Sequence, residues 1–399
     1  MFFRNGFSLN LAGVMKQLTK LFALALSALF LQSCTGPILN RGDVLTKKDA
    51  KIVRVKFSSL PSTEKEDWER TLQAFSLSCK RIAGRAGWKD VCEKAANSSA
   101  DAKEFFRDNF DVWRVYSVSG QDKVQDKGLM TGYYEPVIQG SREKTNRFRI
   151  PLHAVPDDLL TVDLGSVYPS LKKMNLKGKI SGSRVIPYDA RGAIMKRQDL
   201  DASALCWVED PVEAFFLQIQ GSGRILLEDG TFLRLGYADS NGHPYRAIAG
   251  WLVKNARMKP SEMSMQRIKQ WARENPKRVH ELLSYNQSYV FFVERIAASD
   301  DEGPIGSLGV ALTPQASVAV DRSYWPLGIP FVTQVKQERP SLSFARPVVA
   351  QDTGSAIKGP IRFDYFWGHG EEAGRQAGGQ KSAVAAWVLS PKGVSPWDL

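Results

Sequence analysis

The 399-residue chain is poor in the residues that most often carry nucleophilic or metal chemistry, with four cysteines and four histidines. His153, His243, His280 and His369 lie far apart with no local ligand spacing, so no metal site is expected. No lysine- or arginine-rich block is present, although the net charge is +12, and the basic residues are spread along the chain. That distribution argues against a nucleic-acid arm, while an overall positive field suits an anionic polymer or surface. Nucleotide binding also finds little support. Gly368-His369-Gly370-Glu371-Glu372-Ala373 has a glycine pattern, but its two glutamates would repel a pyrophosphate. Gly221-Ser222-Gly223 is no nucleophile elbow, because Gln220 and Arg224 stand where glycines are needed.

The chain also lacks an apolar run of membrane-spanning length. What it has instead is Lys16 and Lys20 followed by Leu21–Phe30, then Leu31-Gln32-Ser33-Cys34. A basic start, a short apolar segment and a small residue make a secretory signal. A cysteine directly after the small residue is the layout of a bacterial lipobox, with Cys34 acylated as the mature N-terminus. Thr35 is not the aspartate that retains such lipoproteins in the inner membrane, so the expected address is the periplasmic face of the outer membrane. An exported chain meets an oxidising compartment, where Cys79 and Cys92 are candidates to pair and Cys206 is left over.

Beyond Cys34 the sequence reads as a polar tether to about Ser62. Thr63-x-x-Glu66 has the form of a capping box, and Trp68, Leu72, Phe75, Cys79 and Ile82 follow at helical spacing. A second helix is expected from about Ser99, burying Phe106, Phe110 and Trp113. From Val115 to about Arg246 short apolar runs between turn residues predict strands, including Phe215–Gln220 and Thr231–Leu235. Helices are expected again between about Tyr245 and Glu281, with Pro260-Ser261-Glu262 as a start signal. Strands resume at Tyr289–Val293 and run to Ala385–Leu389. This is no βαβ alternation, and it fits two β-rich domains.

Three segments carry candidate chemistry. Thr131-Gly132-Tyr133-Tyr134-Glu135-Pro136 reads as a strand end or a saccharide platform. In Gln218-Ile219-Gln220-Gly221-Ser222-Gly223, strand alternation would put both glutamines on one face. The third is a set of aspartates: Asp321, Asp352 in Gln351-Asp352-Thr353-Gly354, and Asp364 in Phe363-Asp364-Tyr365-Phe366-Trp367-Gly368. Each lies in or beside an apolar run bounded by turn residues. A carboxyl among aromatic rings loses hydration in its ionised form, which raises its pKa and suits it to act as a general acid.

Together these segments resemble the family of membrane-bound lytic murein transglycosylase A, whose C-terminal part is named the 3D domain for three aspartates. Asn241-Gly242-His243-Pro244-Tyr245-Arg246, Asn286-x-Ser288-Tyr289-Val290-Phe291-Phe292 and Asp321-Arg322-Ser323-x-x-Pro326-Leu327-Gly328 extend the resemblance over essentially the whole mature chain. It implies a mainly β fold with helices: a double-psi β-barrel domain (63–133 and 256–399) interrupted by a second β-barrel (134–255), with the substrate groove between them. It implies a lytic transglycosylase that cleaves the β-1,4 bond between N-acetylmuramic acid and N-acetylglucosamine of peptidoglycan without water, leaving 1,6-anhydromuramyl ends. Asp364 matches the catalytic aspartate. Asp352 and Asp321 become supporting groups, and Thr131, Tyr134, Gln220 and Trp367 substrate contacts. No cofactor or metal is implied. The partners implied are peptidoglycan strands, the membrane through the lipid at Cys34, and a cell-wall synthesis or division complex, with no nucleic acid. The resemblance falters at Gly379-Gln380-Lys381-Ser382, which reads as a loop. Two other readings remain: a non-catalytic peptidoglycan-binding lipoprotein, and a glycosidase with Asp352 or Glu135 as a second carboxylate.

Overall fold

The computed structural model describes residues 43–97, 101–120, 123–172, 174–260, 263, 265–296 and 302–399. The signal and lipobox at Lys16–Cys34, and Ser261 and Glu262 of the expected start signal, lie outside the described residues. The chain divides into a unit ending at Leu45 and a compact unit over Thr46–Leu399, which is the one described below. Among the described residues no helix is long and apolar enough to cross a membrane.

The compact unit opens with β1 (Ala50–Val55), a strand inside the stretch expected to be a tether. Next come α1 (Lys65–Ile82) and α2 (Lys89–Ala96). The stripe expected on α1 is its buried face, where Trp68, Phe75 and Ile82 are almost fully enclosed. Its capping box does not form: Glu64 is the N-cap, and the Thr63 hydroxyl instead accepts the Trp68 indole N–H at 2.7 Å. Cys79 and Cys92 are bonded, tying α1 to α2. The next helix, α3 (Ala102–Asn109), is capped by Asp101 and stops short of Phe110. Phe110 and Trp113 therefore belong not to a helix face but to β2 (Phe110–Ser119). The run Phe-Asp-Val-Trp-Arg-Val-Tyr is β-branched and aromatic, and pairing with β1 outweighs the helical spacing.

β3 (Gly128–Glu135) leads into a second body. This comprises β4 (Val137–Ser141), β5 (Ile150–His153), β6 (Ala204–Val208), α4 (Pro211–Gln220), β7 (Ser222–Leu226) and β8 (Phe232–Ser240). Its remaining elements are α5 (Ala249–Ala256), α6 (Met265–Glu274), α7 (Val279–Ser284) and β9 (Val290–Arg295). The strand order is β9-β8-β7-β4-β6-β5, and a bridge from Ala154 to Phe292 draws the two edges together. The strand expected over Phe215–Gln220 is instead the C-terminal half of α4. Asp210 caps the N–H groups of Val212 and Glu213, Pro211 sits at the first turn, and Gly221 ends the helix at φ +79°. Gln218 and Gln220 therefore do not share a strand face: Gln218 is buried in the core and Gln220 is half-buried at the helix end.

The chain then returns through β10 (Ser317–Ala319), β11 (Pro330–Gln337), β12 (Leu342–Asp352), β13 (Arg362–His369), α8 (Gly370–Gly379) and β14 (Lys381–Pro391). These strands close a barrel with β3, in the order β14-β11-β12-β10-β13-β3 and back to β14. This is the mainly β fold with helices and a β-barrel that the family resemblance implies, and the barrel has six strands. β14 reads as an almost unbroken apolar run because it is enclosed between β11, β2 and β3. The expected loop at Gly379–Ser382 does not exist, since α8 passes through Gln380 directly into β14. α1 is fastened to the barrel by polar bonds from buried groups: Thr71 Oγ1 donates to Pro347 O at 2.8 Å, and Gln351 Nε2 to Ala74 O at 2.8 Å.

Candidate active site

The three aspartates gather at the end of the shortest barrel strand. Ala319, the last residue of β10, pairs with Asp352 on β12 and with Asp364 on β13, and Asp321 follows two residues later. Parallel pairing of β13 with β3 sets Asp364 opposite Thr131 and Phe366 opposite Tyr133. In a parallel ladder such partners point to the same face, so Thr131, Tyr133, Asp364 and Phe366 form one surface.

Asp364 is half-buried there. Loss of hydration pushes its carboxyl up to about 6, with Asp352 adding to the rise, while the Thr131 hydroxyl and the Arg362 guanidinium pull it down. Thr131 Oγ1 donates to Asp364 Oδ1 at 2.6 Å, and Arg362 donates to the same Thr131 oxygen at 3.0 Å. With its acceptor position taken by Arg362, the threonine hydroxyl turns its proton to the carboxylate. Oδ2 of Asp364 is left as the oxygen that can carry a proton outward.

Asp352 is tied on both oxygens. Oδ1 accepts from the Ser307 N–H at 2.9 Å and hydroxyl at 2.7 Å, and Oδ2 accepts from the Tyr133 hydroxyl at 3.0 Å. Burial, with Asp352 and Asp364 nearby, keeps the Tyr133 phenol protonated and therefore a donor. Asp321 is a buried anion in a frame of backbone donors. Burial works to raise its pKa, but the N–H groups of Gly359 and Ser323, each at 2.9 Å, hold it below the usual carboxylate range.

The other expected contacts lie nearby, but not all on that face. Tyr134 and Gln220 meet, with the Tyr134 N–H 3.4 Å from Gln220 Oε1. The Tyr134 hydroxyl reaches toward Met265 Sδ, and burial followed by the Glu213 charge raises it to about 12. Trp367 sits an odd number of residues from Asp364 and packs over Gly132 on the opposite face, its indole donating to Gln380 Oε1 at 2.8 Å. A β-carbon on Gly132 would lie 2.7 Å from both Trp367 Nε1 and Gln380 Oε1, so only glycine fits. Glu135 is enclosed and paired with Arg224 at 2.7 Å, both 2% exposed. Burial raises its pKa and Arg224 opposes the rise. Cys206 is fully buried, and burial pushes its thiol up to about 12, which leaves it inert.

Sequence reasoning named Tyr133 in its saccharide platform without the bond to Asp352, and missed Ser307, Arg362 and the contact of Gln380 with Trp367. Arg362 is two residues before Asp364, and Tyr133 two after Thr131, so strand alternation already placed each on the carboxyl's face. Ser307 reaches the site only through a tertiary contact, and Gln380 stands behind it, on the face of Trp367.

Comparison with known proteins identifies the family. Residues 129–293 match the family model described as MltA specific insert domain, and residues 316–390 match the 3D domain. Membrane-bound lytic murein transglycosylase A of Escherichia coli strain K12 is 31% identical over 300 residues, covering 73% of this chain and 72% of that protein. The crystal structure of MltA from Neisseria gonorrhoeae superposes with a TM-score of 0.80 at 38% identity, covering 89% of this chain and 96% of that one. The structure of E. coli MltA with bound chitohexaose gives a TM-score of 0.65 at 25% identity, over 90% and 99% of the two chains. With both family domains in order around one barrel, and a relative of this identity and coverage, the chain belongs to the membrane-bound lytic murein transglycosylase A family.

Proposed function

We propose that this lytic transglycosylase of peptidoglycan works with a single carboxyl, Asp364, acting first as acid and then as base. The observation that carries the reading is the contrast among the carboxylates. Asp364 alone combines a pKa of about 6 with an oxygen left open, while Asp352 is bonded on both oxygens and Glu135 is locked to Arg224. A hydrolase needs a second carboxylate free to activate water or to attack the sugar, and neither neighbour is free. Asp364 Oδ2 gives its proton to the glycosidic oxygen between N-acetylmuramic acid and N-acetylglucosamine, and the C1–O bond breaks. The muramyl C6 hydroxyl attacks C1 and passes its proton to the Asp364 carboxylate, closing a 1,6-anhydro ring and restoring the acid. No water is consumed. Asp352 and Tyr133 form a fixed hydrogen-bonding wall beside the reacting sugar, and Asp321 holds the loop after β10. The chitohexaose bound to the E. coli relative supports a glycan as ligand, and we place it along Tyr134 and Gln220.

The name of the relatives, membrane-bound, supports association of this chain with a membrane. We place the attachment at a lipid on Cys34, in the periplasmic leaflet of the outer membrane.

Digestion of purified murein in heavy-oxygen water, read by mass spectrometry, tests the mechanism. Anhydromuramyl ends without incorporated label are expected. Reducing ends that carry the label would overturn it.

A further inference from the structure

Among the described residues seventeen large apolar side chains stand exposed, and six of them fall between Leu164 and Val185. The stretch from Leu160 to Pro187 carries a three-stranded sheet of Leu160–Thr161, Lys177–Ser181 and Arg184–Pro187, separate from both large sheets. Ile180 and Val185 are direct cross-strand partners beside the turn at Gly182, so they point to one face, and they are 70% and 55% exposed. At the other end of the central strand the connecting loop presents Val167 at 70%, Met174 at 58% and Tyr168 at 56% exposure.

Between residues 160 and 187 the sequence holds five basic residues and one acid, Asp163, with Asp157, Asp158 and Asp189 just outside. Lys177 and Lys179 are held by Asp239 at 2.5 Å and Asp189 at 2.6 Å. Lys172 and Arg184 are exposed, with no ion-pair partner among the described residues. Exposed aliphatic side chains offer nothing to a sugar's hydroxyls, and lysine is depleted at protein–protein interfaces. Apolar tips, a tyrosine and unpaired cations together match the headgroup zone of an anionic bilayer, which takes apolar groups shallowly and attracts cations.

We propose that this small sheet and its loop rest on the anionic lipid surface to which the chain is attached, as a second contact beside the N-terminal lipid. The proposal rests on the lipid-anchored reading above. The anchor holds this weaker contact at high local concentration.

The test uses the full lipidated chain with Ile180→Cys carrying an environment-sensitive fluorophore. The label goes to that position because Cys79 and Cys92 are bonded, Cys206 is buried and Cys34 is acylated. On phosphatidylglycerol-containing vesicles the emission shifts to the blue and is quenched by spin-labelled lipid, and the shift is lost when Val185→Asp is added. Vesicle flotation reports the anchor separately from the contact. A chain that floats while its label stays aqueous overturns the proposal. So does a blue shift that appears only with isolated murein, or only with rising protein concentration in the absence of vesicles.

Discussion

Thr131 and Asp364 face each other across a parallel strand pair, with the threonine hydroxyl 2.6 Å from one carboxylate oxygen. The bond favours the ionised form, so the threonine sets how far burial can raise the acid. If protonated Asp364 is the working form, kcat/KM falls as pH rises through about 6. Thr131→Val removes a downward influence and moves that midpoint upward, while Thr131→Ser restores it. A lower rate with an unmoved midpoint would leave the threonine a merely structural role.

Asp364→Asn folds and loses turnover, by roughly 10²–10⁴-fold as for other acid–base groups, whereas Asp321→Asn retains activity. The first variant also carries a stability signature. The folded-state pKa lies above the ordinary 3.8, so the wild-type carboxyl contributes most favourably below that value and loses the contribution as pH rises through about 6. Asp364→Asn is therefore the more stable protein at pH 7–8, by about 1–3 kcal/mol, and the advantage vanishes near pH 4. Denaturant titrations at both pH values check this.

Arg224→Met strands Glu135 in the interior and costs about 3–5 kcal/mol, read from the shift of the unfolding midpoint. The buried pair lies at the junction of β3 and β7, and the guanidinium also donates to Glu302 O at 3.0 Å. Glu135→Gln with an anhydromuramyl product pattern unchanged from wild type excludes this carboxylate as a second catalytic group. A switch of product chemistry in that variant would restore the two-carboxylate reading.

Breaking the Cys79–Cys92 bond as Cys79→Ser/Cys92→Ser lowers stability by about 3 kcal/mol, the value expected for so short a loop. The loss appears in thermal unfolding. Turnover at moderate temperature is unchanged, because α1 and α2 lie on the barrel's outer side and supply no residue to the carboxyl's face.

What was legible in the sequence divides along physical lines. The aspartates stood out because each lies in or beside an apolar run, and the second half of β14, Ala385–Leu389, was readable from the same pattern. Phe215–Gln220 was misread because its dense apolar stretch serves a buried helix as well as a strand, although Asp210, Pro211 and Gly221 held the helix signals. Thr63 offered a cap that the Trp68 indole took instead. Ser307 and Gln380 were invisible because their roles depend on segments that meet only in the folded chain.

The pairing of β3 with β13 joins residues 233 positions apart, and β14 must then close the ring. Such non-local pairing forms late, after the entropy of a long loop has been spent. The acid and the hydroxyl that tunes it therefore do not meet until nearly the last strand has been synthesised. A chain cut short before β13 lacks the Thr131–Asp364 pair altogether. Under the proposed mechanism, an unfinished copy of this enzyme therefore cannot yet cut the wall around its own cell.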